Sequence, residues 1–314
     1  MADEILRVVA GERESGRRLD AALDVLLPGM GLRGRRRACE QGLVRVDGKV
    51  RPAAYRVRSG ETLTLSGGEN SAACSEACGK ARVLTPDRDE TGGLAALFKP
   101  AGVHCESLAG KPGASLASLL PDLLGKARLL NRLDCATSGI VMAALDAEGE
   151  RVWKEAQDGG QTRKYYLVLL QGRLNGEHLV KERLILKGRE RVLVEMAIHP
   201  DRRRHTLIVP LAHIEKGGMP SEPETEVTLA GCLILKGARH QIRAHAASLG
   251  YPLLGDTRYG AEGRPSEEEH FYLHHGRIEL PGFAAHCLPD WLAELGDEAR
   301  LAGEGWLSGG RTMD

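Results

Sequence analysis

LLNRLDCATSGIVM, Leu129 to Met142, is an apolar frame interrupted by two opposite charges, Arg132 and Asp134, and closed by Thr137-Ser138-Gly139. In an extended strand, residues i and i+2 point to the same side, so Arg132 and Asp134 are expected to share one face while Leu133 enters a core. Thr137-Ser138-Gly139 is expected to turn the chain back into a sheet. Two readings fit. One is a surface ion pair at a strand end, which contributes little to stability. The other is a carboxylate set at the mouth of a cleft.

Outward from this stretch, residues 93–314 show many short apolar runs. They are LAALFK, GIVMAAL, KYYLVLLQG, ERLILKG, RVLVEMAI, HTLIVPLAHI, TEVTLAGCLIL and YLHHGRIEL. Helical patterns are fewer, RHQIRAHAASLG being one. Strands dominate and no βαβ rhythm appears, which predicts an α+β domain around a mainly antiparallel mixed sheet. No internal repeat is present.

Upstream, residues 1–66 follow another pattern. RRLDAALDVLLPG places Leu19, Leu23, Leu26 and Leu27 on one helical face, ended by Pro28-Gly29. Arg33, Arg35, Arg36 and Arg37 open a second helix that Gly42 closes. Leu43, Val44 and Val46 lead into Asp47-Gly48, a strong hairpin signal with Lys49 beyond it. ETLTL follows as a strand. Four arginines in five positions repel one another unless a polyanion neutralises them, although a solvated helix face is the plain alternative. Arg18-Leu19-Asp20, the Arg33–Arg37 run, the hairpin and Gly60-Glu61-x-Leu63 together resemble the small RNA-binding module of ribosomal protein S4 type. Residues 67–92 lack apolar periodicity and are expected to be a linker. The domain expectation is therefore 1–66, 67–92 and 93–314.

The bulk numbers suit a globular chain of one or two domains: 314 residues, 42% hydrophobic and 27% charged. No stretch reaches the roughly 18 apolar residues that cross a membrane, and MADEILRVVAGERESGRR lacks a signal-peptide core. A cytoplasmic, monomeric protein is the expectation. The seven cysteines are odd in number and scattered, unlike a disulfide framework. Cys74 and Cys78 form a lone pair at C-x-x-x-C spacing, without the second pair a zinc site needs. The net charge of zero argues at first against nucleic acid. Residues 1–66, however, hold 13 Lys and Arg against 9 Asp and Glu, whereas residues 261–314 hold 4 against 11. A basic face is compatible with that asymmetry.

Four segments carry polar residues inside apolar frames: FKPAGVHCE, the opening stretch, TRKYYLVLLQG with Lys164 and Tyr166, and GARHQIRAHAASLGYPLLGDTRYG with His240, Gln241, Arg243 and His245. His240 and Arg243, three apart, are neighbours on a helix. Arginine is no metal ligand and H-x4-H lacks a third donor, so no metal is expected. There is no G-x-S-x-G elbow and no Walker loop. An aspartate, an arginine, a tyrosine and basic surroundings suit acid/base or covalent work on nucleic acid.

In order and spacing, the four segments resemble the RluA-type RNA pseudouridine synthases. Arg132-Leu133-Asp134-x-x-Thr137-Ser138-Gly139 is similar to that family's signature, Lys164-x-Tyr166 to its Lys-x-Tyr motif, and His240-Gln241-Ile242-Arg243-x-His245 with Leu253-Leu254-Gly255-Asp256-x-x-Tyr259-Gly260 to its last motifs. The resemblance implies a pseudouridine synthase fold and conversion of uridine to its C-glycoside isomer without a cofactor. It implies RNA as partner, large-subunit ribosomal RNA being favoured and transfer RNA an alternative. Asp134 then stands at the catalytic nucleophile, Tyr166 against the flipped base, and Arg243 as partner of the aspartate. Arg132 fills the gap in the RNA stack. Lys164, His240, Gln241 and the cations Arg33, Arg35, Arg36, Arg37 and Lys49 are expected on the RNA-binding side. Asn131, Cys135 and Lys236-Gly237-Ala238-Arg239 depart from the family pattern. Two rivals remain: an inactive RNA-binding protein, and a hydrolase, which needs a second acid near Asp134.

Overall fold

Long apolar runs with β-branched residues make strands, and the longest of them sit at the middle of the sheet. The computed structural model describes residues 6–27, 31–40, 44–65, 79–107, 115–187, 191–214, 226–260 and 270–313. They fall into two compact units, Met1–Lys80 with Val103–Leu119, and Ala81–Gly102 with Leu120–Asp314.

In the first unit, strands β1 (Leu6–Val9), β2 (Val44–Val46), β3 (Lys49–Val50) and β4 (Thr62–Leu65) form an antiparallel sheet in the order β1-β4-β2-β3. The β2–β3 hairpin turns at Asp47 and Gly48, with φ of 47° and 75°. Two positive φ values in succession define the type I′ turn expected of Asp-Gly. Helix α1 (Leu19–Ala22) is a single turn, and irregular turns carry Leu26 and Leu27 onto the same core. Helix α2 is Leu32–Glu40. The expected stops at Pro28-Gly29 and Gly42 lie outside the described residues, as do Cys74 and Cys78.

The second unit is built on an eleven-stranded sheet among the described residues. Its strands are β5 (Arg82–Leu84), β6 (Arg88–Asp89), β7 (Leu94–Lys99), β8 (Arg128–Leu129), β9 (Ser138–Ala144), β10 (Arg163–Gln171), β11 (His178–Val180), β14 (Thr206–Ile214), β15 (Val227–Ile234), β16 (Leu273–Leu280) and β17 (Phe283–His286), with β12 (Glu182–Lys187) and β13 (Arg191–Ile198) pairing as a separate hairpin. The main path runs β11-β14-β15-β10-β16-β9-β7-β5. All pairings are antiparallel except β16 with β9. The eight apolar runs of residues 93–314 all fall on strands, within a residue or two at each end. The stretch expected to be a linker differs: β5 and β6 join the sheet, β5 pairing with β7 through Arg82–Phe98.

Tyr166, Val168 and Leu170 of β10 face a core shared with helix α5 (Gln241–Ser248), while Tyr165, Leu167 and Leu169 face helix α6 (Asp297–Leu307). Helix α3 spans Leu116–Leu124. On β15, a Cβ on Gly231 would lie 2.4 Å from the Trp306 ring. The missing side chain is what lets α6 lie flat on the sheet. Helix α4 (Ala147–Asp158) begins where Asp146 accepts the Gly149 N–H at 2.8 Å and covers the sheet with Trp153 and Ala156.

Candidate active site

Residues 130–137 are an irregular loop between β8 and β9 rather than an extended strand. The loop is pinned along its length. Asn131 Oδ1 accepts the Met142 N–H at 2.7 Å, and Leu133 packs against the core around Tyr166. The fully buried Lys99 donates from Nζ to the carbonyls of Pro100 (2.7 Å) and Cys135 (3.0 Å), and the Gly102 N–H joins it on Cys135 O at 2.9 Å. The Thr137 N–H returns to Asp134 O at 3.1 Å. Ser138 then donates to His274 Nδ1 at 2.8 Å, while His274 Nε2 donates to Cys287 O at 3.0 Å. Burial holds His274 neutral, its pKa down at about 4.

Between these anchors the Asp134 side chain is 28% exposed and meets two groups, one on helix α5 and one just before it. Arg243 Nη1 lies 3.3 Å from its Oδ2, and His240 Nε2 lies 3.8 Å from its Oδ1. Two further donors of Arg243 grip Asp256, Nε to Oδ2 at 2.7 Å and Nη2 to Oδ1 at 2.9 Å. The guanidinium lies over Phe271, 4.2 Å from the ring centre, and 1% of the side chain is exposed. A planar five-donor group thus bridges a sealed carboxylate and an accessible one. Asp256 also accepts the N–H groups of Arg258 and Tyr259, each at 3.1 Å. Its carboxylate oxygens are thus engaged inside the fold, by Arg243 and by its own loop.

His240 takes a left-handed backbone, φ 52°, immediately before α5. Its Nδ1 is 3.0 Å from the Tyr259 hydroxyl, which accepts the Val192 N–H at 3.0 Å. The Tyr259 proton is then free to point at Nδ1, leaving the His240 proton on Nε2, toward Asp134. Burial is the main force lowering the His240 pKa; Arg243, Arg239 and Arg258 add to it, and Asp134 opposes it.

Tyr166 is buried, and burial first, then the charge of Asp134, pushes its phenol far above the usual range. The hydroxyl stays protonated at neutral pH. Its ring stacks on His275, centroids 4.6 Å apart and planes 15° apart.

Asp134, Tyr166, Arg243 and His240 thus gather in one place. Arg132 is exposed on the same loop. Two residues expected on the RNA-binding side lie inside the fold. Lys164 is 4% exposed, donates to Gln157 Oε1 at 3.1 Å and lies over Trp153 of α4. Gln241 is 2% exposed and spends its amide inside the fold, accepting from the Ala238 N–H and donating to Arg204 O, His205 O and Thr206 Oγ1. In the first unit, Arg33 and Lys49 are exposed, Arg35 reaches Ala21 O at 3.3 Å, and Arg36 pairs with Glu40 at 3.1 Å; the Arg37 side chain lies outside the described residues. The roles of Lys99, Asp256, Tyr259 and His275 were not anticipated. Asp256 and Tyr259 stand inside the LLGDTRYG motif, which was the one available signal. Among the described residues no three His, Cys, Asp or Glu converge as metal ligands.

A family model described as RNA pseudouridylate synthase matches residues 93–248, which hold Asp134, Tyr166, His240 and Arg243. Residues 93–248 belong to the RNA pseudouridylate synthase family. The chain is 28% identical over 309 residues to the ribosomal large subunit pseudouridine synthase D of Nitrosomonas europaea, covering 93% of this chain and 81% of that one. It is 26% identical over 175 residues to the dual-specificity RNA pseudouridine synthase RluA of Vibrio parahaemolyticus, covering 55% and 68%. The fold is shared with human RNA pseudouridylate synthase domain containing 1, at a TM-score of 0.54 and 21% identity over 68% of this chain and 84% of that one. The expected mixed, mostly antiparallel sheet is the sheet of this synthase domain. Pseudouridine synthases are isomerases, and the pinned loop with Asp134 lies within the matched residues.

Proposed function

We propose that the chain isomerises specific uridines of a structured RNA, and that Asp134 is the nucleophile. The observation that carries this is the Asp134 carboxylate held 3.3 Å from a buried arginine and exposed on its other side. In the reaction, Asp134 forms a covalent adduct with the target nucleoside and the bond between N1 and C1′ breaks. The base rotates and a bond forms between C5 and C1′. The C5 proton leaves, N1 gains one, and the aspartate is released. Nothing is added or lost overall, so no cofactor is called for.

Arg243 offers Asp134 a fixed countercharge that does not reorganise during the reaction. Tyr166, kept neutral, lies against the flipped base and can give or share a proton at its hydroxyl. Flipping costs a few kcal/mol of stacking, and Arg132 replaces the extruded base. Arg132 on the Asp134 loop and Arg239 and Arg258, whose charges act on His240, supply cations for flanking phosphates. Residues 1–66, with the Asp-Gly hairpin and the arginine-bearing helix, act as an S4-like module that binds the same RNA. Large-subunit ribosomal RNA is the favoured target.

The test uses total RNA from a strain of the source organism lacking this gene. The purified protein and Asp134→Asn are incubated with it, and pseudouridines are mapped by carbodiimide-stop sequencing. New sites with the wild type and none with the variant are expected. RNA binding without any new site would leave an inactive RNA-binding protein.

A further inference from the structure

The described groups around Asp134 that the proposed chemistry does not use include one with no ordinary packing explanation. His275 lies on β16, fully buried, where three strands meet. It pairs with Gly139 of β9 and with Tyr166 of β10, beside an irregularity in the β10–β16 register at Tyr165/Tyr166. Gly139 has φ +111°, and a Cβ there would stand 2.3 Å from the His275 carbonyl oxygen. The chain leaving the Asp134 loop therefore needs a glycine to pass this histidine.

The His275 ring is fixed in two ways. Nδ1 donates to Ile140 O at 2.6 Å, on the strand that begins four residues after Asp134, and the ring face lies on Tyr166. The other nitrogen, Nε2, is buried and finds no hydrogen-bond partner among the described residues. A buried acceptor without a donor is costly, and phenylalanine would give the same flat face without that cost. What histidine adds is the Nδ1–H that ties ring position to β9. Burial keeps the imidazole uncharged, so the stack is between two neutral rings.

We propose that His275 is a positioning residue: bonded to β9 and stacked on Tyr166, it sets the place of the Tyr166 ring relative to the Asp134 loop. The inference rests on the proposed uridine isomerisation and adds a residue through which the nucleophile loop and the aromatic platform are held in one register. Misplacing a reacting group by about 1 Å costs on the order of 100-fold in rate. A positioning role therefore appears in the chemical step and not in RNA affinity.

The experiment is single-turnover isomerisation of an RNA fragment carrying a mapped site, with RNA Kd and Tm measured for each protein. His275→Ala is expected to lower the rate constant at saturating RNA by about 10- to 100-fold, with Kd within about 3-fold of wild type. His275→Phe keeps the stack and is expected to recover part of the rate. His275→Asn keeps a donor near Ile140 but not the stack and should recover less. Val168→Ala, one turn of the pleat further along β10 in the same core, should lower Tm as much while leaving the rate near wild type. The proposal is overturned if His275→Ala behaves like Val168→Ala, or if neither Phe nor Asn recovers any of the rate. If His275→Ala does not fold, the Phe and Asn variants still decide: both at the wild-type rate, with neither keeping bond and stack together, would overturn it. A wild type that makes no pseudouridine overturns the isomerase reading instead.

Discussion

Asp256 is the residue on which the site turns, although its carboxylate is held by Arg243 and its own loop rather than by Asp134 itself. Its carboxylate is sealed, and it takes two of the donors of an arginine whose third reaches Asp134. A buried ion pair is weak evidence of stability, but a buried pair broken on one side leaves a bare charge. Asp256→Asn is therefore expected to lower unfolding free energy by about 3 kcal/mol, measured by urea denaturation, and to loosen Arg243 from Asp134. Single-turnover rates should fall by about 100-fold or more, with RNA affinity changed much less. Unchanged kinetics would show that the Arg243–Asp134 contact is incidental. The same scale explains Lys164 and Gln241. Both are polar residues beside motif positions, and both were expected to face RNA. Residue type and spacing do not say which buried acceptor a long side chain will find.

At the scale of elements, the decisive feature is the crossing of β9 and β16. Gly139 stands in the quoted stretch as part of a turn signal, but the turn comes earlier, at Cys135 and Ala136, closed by the Thr137 N–H on Asp134 O. The glycine's own task is different: it sits inside β9 at a positive φ and admits the backbone of His275. Gly139→Ala meets both a clash and a strained backbone, at a cost of about 3 kcal/mol or more. The Asp134 loop is displaced with it, so activity should fall further than the loss of folded protein explains. Comparing the active fraction at low temperature with the urea midpoint checks this. An alanine variant of wild-type stability would mean the crossing is loose. Arg132–Asp134 lies in a loop rather than the expected extended strand, and Asn131, Lys99 and Gly102 hold that loop by hydrogen bonds.

Across the whole molecule, several histidines are buried uncharged. His245 and His274 are held down to about 4 and His275 to about 3, in each case chiefly by burial. In the unfolded chain these rings take up protons near pH 6.5. Between that value and the folded values the unfolded state binds more protons, so stability rises with pH and falls on acidification. Each histidine is expected to remove about 2 kcal/mol of stability between pH 7 and pH 5. Lys164 acts in the opposite range, with the same sign. Its folded pKa is held down to about 7 by burial first and then by Lys236 and Arg204, against 10.5 unfolded. Its charge therefore opposes folding fully below pH 7, and the penalty is relieved as pH climbs toward 10.5. Lys164→Met should raise the urea midpoint at pH 7 and flatten its rise toward pH 9. A midpoint independent of pH from 5 to 9 would contradict both assignments.

The sequence alone determined the eight apolar strands of residues 93–314, the Asp-Gly hairpin, the helix carrying Arg243, and the placement of Asp134 in a motif. These follow from periodicity, turn chemistry and short-range spacing, which act between residues a few positions apart. Only the tertiary structure decided that Arg243 is shared between Asp134 and Asp256, that Tyr166 stacks on His275, that Lys99 holds the loop, and that Lys164 and Gln241 turn inward. Those pairings join residues up to 109 positions apart in sequence. Their strength comes from burial, which removes competing water, and burial belongs to the assembled sheet rather than to any local stretch of chain.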